Sequence, residues 1–144
     1  MKQLILGAAT FALVMTSACQ NNSGQNEEAQ RLAAEAIAIH DEIMPQISSF
    51  DKQDILIDSL LENLSALKTT DAALDTAETK EKLNTLKQNL AAATDKMMVW
   101  MKEYSKDSTD IDYQKAEIES ISTLKTEFEQ VTYDATNVLA PFKN

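Results

Sequence analysis

The only histidine and the only tryptophan of this chain lie within two short segments that also contain methionine. These segments are HDEIMP, at residues 40–45, and MMVWM, at residues 97–101. Thioether sulfur and imidazole nitrogen are ligands that suit Cu(I), and an indole ring face attracts a cation. The pattern therefore predicts a candidate soft-metal site with five ligands: His40, Met44, Met97, Met98 and Met101.

The same residue types have two other interpretations. Methionine is an adaptable filler of apolar cores, and a histidine on an apolar helix face is commonly a buried, hydrogen-bonded core residue. Because Met97 and Trp100 share a regular apolar stripe with several leucines, the spacing favours core packing over metal binding. Pro45, beside Met44, adds the possibility of a kinked groove that is open to a helical or peptide partner.

Helices must position these side chains. After Gly24 the chain has no glycine and only two prolines, whereas sheets need turns that mostly use these residues. Apolar residues recur at heptad spacing in three segments, which predicts an all-α, up-down-up antiparallel three-helix bundle. The middle and last stripes are Leu83, Leu86, Leu90, Ala93, Met97, Trp100 and Tyr104, and Ile111, Gln114, Ile118, Ile121, Lys125, Phe128, Val131, Ala135 and Val138.

The first stripe keeps its phase over residues 27–67, which predicts one long helix kinked at Pro45. The alternative is a break at residues 48–51, which would give four helices. Polar residues at 68–75 and 105–110 indicate the connections. Asp75, with Glu78 three residues later, is a candidate capping box for the second helix, and Asp110 is a candidate cap for the third.

Antiparallel pairing brings the two methionine segments together. A turn centred near residue 71 puts residue 40 beside 102 and residue 44 beside 98, and the third helix brings residues 113–117 to the same level. The histidine and the methionines are therefore expected to meet at the end of the bundle nearest the N-terminus.

The N-terminus has the pattern of a secretory signal peptide over residues 1–18: Lys2, an apolar stretch at residues 4–15, and small residues before the only cysteine, Cys19. The stretch is shorter than the roughly 20 residues that a membrane-spanning helix needs. Thr-Ser-Ala-Cys at residues 16–19 resembles the lipobox of bacterial lipoprotein precursors, which implies acylation of Cys19. Thr16 and Ala18 also satisfy ordinary signal peptidase, which would leave a secreted protein with a free thiol.

Residues 19–26 are small and polar and predict a flexible tether, followed by a helical bundle domain over residues 27–144. More than one acyl chain gives stable anchoring in a membrane. With Gln20 rather than aspartate after the cysteine, the resemblance to lipoproteins implies an outer-membrane protein that faces the periplasm.

The chain is strongly acidic, with a net charge of −10, and loss of residues 1–18 would remove only Lys2 among charged residues and make it −11. Nucleic acid and anionic headgroups need lysines and arginines, so both are poor partners for the bundle surface. A basic protein partner in the cell envelope or a metal cation fits the charge better.

No enzyme signature is recognisable. A single histidine excludes the HExxH zinc motif, and an acylated single cysteine excludes cysteine zinc sites and thiol catalysis. His40, Asp41 and Glu42 are consecutive, and such neighbours on a helix do not face each other. The sequence therefore predicts a non-catalytic protein without a cofactor, other than the candidate Cu(I) ion.

The two segments at residues 40–45 and 97–102, behind a lipobox, resemble a group of small helical lipoproteins of the Bacteroidota that are often labelled as viral A-type inclusion protein-like. The similarity covers most of the mature chain. It implies a cell-envelope location and a helical fold, and it implies no activity.

Overall fold

The computed structural model describes residues 18–142, with side chains from residue 23 onward. Within this range no strand is present, and the prediction of an all-α bundle is confirmed. The helices are α1 (Ala18–Ile43), α2 (Gln46–Glu62), α3 (Leu64–Thr70), α4 (Thr76–Glu103) and α5 (Ile111–Leu139), and a 3-10 turn follows at Ala140–Phe142. None of the described helices is long and apolar enough to cross a membrane.

The first arm of the bundle consists of α1, α2 and α3, with its first interruption at the proline. Pro45 keeps helical dihedral angles, with φ −61° and ψ −21°, and the Ile47 N–H donates to the Met44 carbonyl at 3.2 Å. The predicted discontinuity at Pro45 is therefore confirmed. The alternative break at residues 48–51 is wrong, because these residues lie inside α2.

A second interruption, at Asn63, was not predicted. The Asn63 side-chain Nδ2 donates to the Ser59 carbonyl at 2.8 Å, which competes with the helical ladder, and the residue has φ −103° and ψ 11°. The Leu67 N–H nevertheless donates to the Asn63 carbonyl at 3.0 Å, so the helical path resumes directly as α3.

Both predicted caps are present. One Asp75 carboxylate oxygen accepts from the backbone N–H groups of Ala77 and Glu78 at 2.9 and 3.0 Å. The Glu78 carboxylate, expected to complete a capping box, lies 2.6 Å from the Lys82 ammonium. Asp110 likewise accepts from the two N–H groups at positions 112 and 113, at 3.0 and 3.1 Å, and so begins α5.

Residues 19–26, predicted as a flexible tether, lie within α1, which begins at Ala18. No proline interrupts the chain before Pro45, and extending an existing helix costs little per residue. Gly24 opposes the extension most, by about 1 kcal/mol. The side chains of residues 23–27 are exposed, and Ala29 is the first buried residue among the side chains that the structure describes. Residues 1–17 of the predicted signal peptide and residues 143–144 of the bundle domain lie outside the described residues.

The three arms pack in the expected antiparallel order, with α5 against α1 and α4, and α4 against α2 and α3. Polar pairs between arms fix the register: Lys87 with Asp58, and Lys125 with Glu42 at 2.6 Å. The core between them contains Ala36, Ile43, Phe50, Ile57, Leu60, Leu83, Leu86, Leu90, Ala93, Met97, Trp100, Ile121, Leu124, Phe128, Val131, Ala135 and Leu139.

Candidate functional site

Four aromatic rings form one column at the end of the bundle where α1 enters, here called the aromatic stack. His40 from α1 stacks on Trp100 from α4, with ring centroids 5.7 Å apart and planes at 24°. Trp100 stacks on Tyr104, the residue that follows α4, at 4.6 Å and 15°. Tyr104 in turn faces Tyr113 of α5 at 6.4 Å and 12°. The column therefore joins all three arms at one level.

A buried glutamine holds the end of this column that contains Tyr104 and Tyr113. Gln114 is fully buried, and its Nε2 donates to the carbonyls of Ser105 and Ser108 at 3.1 and 3.0 Å. The Tyr104 hydroxyl lies 2.9 Å from Gln114 Oε1 and 3.3 Å from the carbonyl oxygen of Ala33. Gln114 thus ties the loop between α4 and α5 to the aromatic stack.

The hydroxyl groups of Tyr104 and Tyr113 both take part in hydrogen bonds. Burial raises the pKa of the Tyr104 hydroxyl, and the nearby Tyr113 and Glu117 add to this effect. The Tyr113 hydroxyl accepts from the Ser105 N–H at 2.7 Å. Gln114 lies on the predicted apolar stripe, but no role was predicted for it. A single amide side chain on an apolar helix face could have indicated a buried hydrogen-bond network.

His40 has one paired and one unpaired ring nitrogen among the residues that the structure describes. Its Nδ1 lies 2.9 Å from Oδ1 of Asp41, and its side chain is only 14% exposed. Its Nε2 is buried and has no hydrogen-bond partner in the described part of the chain. A neutral imidazole that donates from Nδ1 to a carboxylate has its free lone pair on Nε2.

A small cavity of about 210 Å³ opens beside this histidine, here called the His40 cavity. Met101 forms part of its wall and is 41% exposed, so the thioether is accessible from solvent. No carboxylate lines the cavity, and its one charged lining residue is a lysine. The complete lining is Ile37, His40, Trp100, Met101, Tyr104 and Lys106.

The five predicted metal ligands are distributed unequally. The two segments do meet, since His40 contacts Trp100, and His40 shares a cavity with Met101. Met97 is fully buried in the core, as the core-packing interpretation predicts. Met98 is 51% exposed and does not line the His40 cavity, while Met44 is half-buried against the core.

A larger groove, which also includes Trp100 in its lining, lies between α4 and α5 and is here called the acidic groove. Its volume is about 540 Å³, and Trp100 and Leu124, both nearly buried, form its apolar base. Four carboxylates line it against one lysine, Lys96, which is paired with Glu127 at 2.6 Å. The lining residues are Asp95, Lys96, Val99, Trp100, Glu103, Glu117, Ser120, Thr123, Leu124 and Glu127.

The sequence did not distinguish these carboxylates from an ordinary solvated helix face. Acidic residues occur along all three arms, and only the packing angle of α4 on α5 brings four of them around an apolar base. Among residues 23–142, no three His, Cys, Asp or Glu side chains are placed to hold a metal ion together.

No protein-family model, curated protein or solved structure matches this chain. The geometry and chemistry of the aromatic stack, the His40 cavity and the acidic groove therefore carry the functional argument.

Proposed function

We propose that this protein is a non-catalytic, lipid-anchored binding protein of the bacterial cell envelope. In this proposal Cys19 carries the lipid in the outer membrane, the bundle faces the periplasm, and the acidic groove takes a basic segment of a partner protein. The observation that carries the binding part of the proposal is a groove with carboxylate walls over the apolar surface of Trp100 and Leu124.

Charge complementarity favours a basic partner. The four groove carboxylates outnumber the one lysine, and the whole chain has a net charge of −10. Complementary potentials accelerate encounter and disfavour partners of the wrong sign. Nucleic acid and other polyanions are therefore disfavoured as occupants of this groove.

The apolar part of the groove favours a helical segment with one apolar face. Val99, at 51% exposed, extends the apolar base of Trp100 and Leu124 toward solvent. Amphipathic helices bind in this way, with apolar anchors in the groove and charged residues at its rim. A volume of about 540 Å³ accommodates a few anchor side chains. The expected partner is thus a basic amphipathic helix of an envelope protein.

The groove is tested with two synthetic helical peptides of the same leucine pattern, one with lysine and one with glutamate at the polar positions. Trp100, the only tryptophan, reports binding to the full chain by its fluorescence. The lysine peptide should bind. Glu103→Lys should weaken the binding of this peptide by about tenfold or more at low salt, because it places like charges together, and a cost of about 1.4 kcal/mol already corresponds to tenfold.

Glu62→Lys on the exposed surface of α2 makes the same charge change outside the groove and serves as the matched control. Equal binding of the two peptides, or equal losses in Glu103→Lys and Glu62→Lys, would contradict the assignment of the groove.

The lipid anchor needs its own test. Mass spectrometry of the mature protein should show an acylated N-terminal Cys19, and Cys19→Ala should lose the acyl mass and leave the membrane fraction. An unchanged membrane fraction for Cys19→Ala would contradict the anchor without affecting the groove.

A further inference from the structure

We infer that the His40 cavity is a Cu(I) site in which His40 Nε2 and the Met101 thioether bind the ion beside Trp100. This site shares only Trp100 with the lining of the acidic groove and does not depend on the proposed partner.

The imidazole of His40 is already arranged as a ligand. Asp41 Oδ1 lies 2.9 Å from Nδ1, which fixes the proton on that nitrogen and leaves the Nε2 lone pair free. Metal-binding histidines almost always donate their second ring N–H to a carboxylate, a carbonyl or a water in this way. Nε2 itself is buried and has no hydrogen-bond partner among the described residues, so a bound ion would replace no existing bond.

The composition of the cavity selects the kind of ion. Its lining offers one imidazole and one thioether, no carboxylate, and the positive charge of Lys106. Zn²⁺, Ca²⁺ and Mg²⁺ prefer oxygen ligands, several nitrogens or thiolates, and a lysine repels a divalent ion more than a monovalent one. Cu(I), a soft monovalent ion, suits thioether and imidazole.

Trp100 is the aromatic neighbour of this site. Its ring stacks on the imidazole of His40, with centroids 5.7 Å apart and planes at 24°, and lines the same cavity. A cation within about 6 Å of an indole centroid gains cation–π stabilisation, so an ion bound beside Trp100 would also be expected to change its fluorescence. Met44, half-buried in the turn between α1 and α2, does not line the cavity, and Met97 is committed to the core, so Met101 is the one thioether of the site.

The test is a Cu(I) titration of the full chain carrying Cys19→Ser, which removes the only competing thiol. Bicinchoninate serves as the competing chelator under reducing conditions, and Trp100 fluorescence is the readout. One equivalent of Cu(I) should quench the fluorescence, and Met101→Leu should weaken the affinity by about tenfold or more.

Met98→Leu is the matched control, because Met98 is an exposed methionine of the same helix that does not line the cavity. Its affinity should equal that of the parent chain. Unchanged fluorescence, an unchanged affinity in Met101→Leu, or equal losses in Met101→Leu and Met98→Leu would each overturn the site. Because both positions are exposed, neither leucine variant should compromise folding.

Asp41 is a positioning residue in this site and provides an independent check. It is 69% exposed, so Asp41→Ala should leave the urea midpoint unchanged while lowering the Cu(I) affinity by about tenfold. An affinity of Asp41→Ala equal to that of the parent chain would overturn the positioning role of Asp41 and with it the site. Peptide binding measured without copper would be unaffected by any of these results.

Discussion

The end of the bundle where α1 enters and the opposite half are built from different side chains. The entry end contains the aromatic stack, with Gln114 hydrogen-bonded beneath it. The opposite half around Ile57 and Leu86 is filled with aliphatic side chains. Aliphatic side chains can pack against one another in several orientations, whereas stacked rings and buried hydrogen bonds hold their groups in one orientation. The opposite half should therefore supply most of the stability, and the entry end the defined geometry that a binding site needs.

The largest effect is expected in the aliphatic half. Ile57 is fully buried in α2, and Ile57→Ala should lower the free energy of unfolding by about 2–5 kcal/mol, because a cavity remains where the side chain was. Ile55→Ala, at a 70% exposed position of the same helix, should change it by less than about 0.5 kcal/mol. Urea unfolding followed by circular dichroism measures both, and similar losses for the two would refute the burial assignment.

A smaller loss is expected at the entry end. Gln114→Leu keeps the volume but leaves the carbonyls of Ser105 and Ser108 without this donor, and it leaves the Tyr104 hydroxyl with only the Ala33 carbonyl at 3.3 Å. The free energy of unfolding should fall by about 1–3 kcal/mol, because partly buried polar groups lose their hydrogen bonds.

The matched control is Gln130→Leu, since Gln130 lies on the exposed surface of the same helix and bonds to Asp134 at 2.9 Å. If Gln114→Leu were as stable as Gln130→Leu, the entry end would not depend on its hydrogen-bond network.

The entry end should also be the part that weakens in alkali. Burial raises the pKa of the Tyr104 hydroxyl above its ordinary value of about 10, so the folded chain holds this proton more tightly than the unfolded chain. Its contribution is complete below pH of about 10 and is lost as pH rises through the raised pKa. Stability should therefore fall above that pH, and Tyr104→Phe should flatten the fall. Tyr133→Phe, at an exposed position, is the control.

The smallest change in stability is expected at the start of α4, and it should occur at acid pH. Hydrogen bonds from the N–H groups of Glu78 and Ala77 lower the pKa of the Asp75 carboxyl below its ordinary value of about 3.9. This stabilisation is present above that value and is lost as pH falls through the lowered pKa. Urea midpoints of Asp75→Asn should therefore depend less on pH between about 4 and 2 than those of the parent chain. Identical profiles would show that the cap does not titrate with folding.

The three-arm architecture could be predicted because its signals are local and repetitive. The stripe of α4 is buried at every position from Leu83 to Trp100, with Tyr104 half-buried, and both caps lie at the predicted aspartates. Heptad spacing and cap chemistry depend on neighbours within one or two turns, which the sequence displays directly.

The details of the site could not be predicted, because they depend on helix rotation and packing angle. Met97 and Met98 are adjacent in sequence, yet one is fully buried and the other is 51% exposed. The pairing of His40 with Met101 rather than Met97, and the gathering of four carboxylates around Trp100, follow from how α4 is rotated between α1 and α5. The interruption at Asn63 depends on a side-chain hydrogen bond that propensity alone does not foresee.

The early start of α1 has a mechanical consequence for the proposed lipid anchor. Ala29, the first buried residue among the described side chains, lies ten positions after Cys19, and in a helix ten positions span about 15 Å. A helical stalk of this length transmits torque, whereas a coil of the same residues would let the bundle swivel freely. With the anchor at Cys19, the stalk would act as a spacer that keeps the entry end at a set standoff from the headgroups and limits the angles from which a partner can approach.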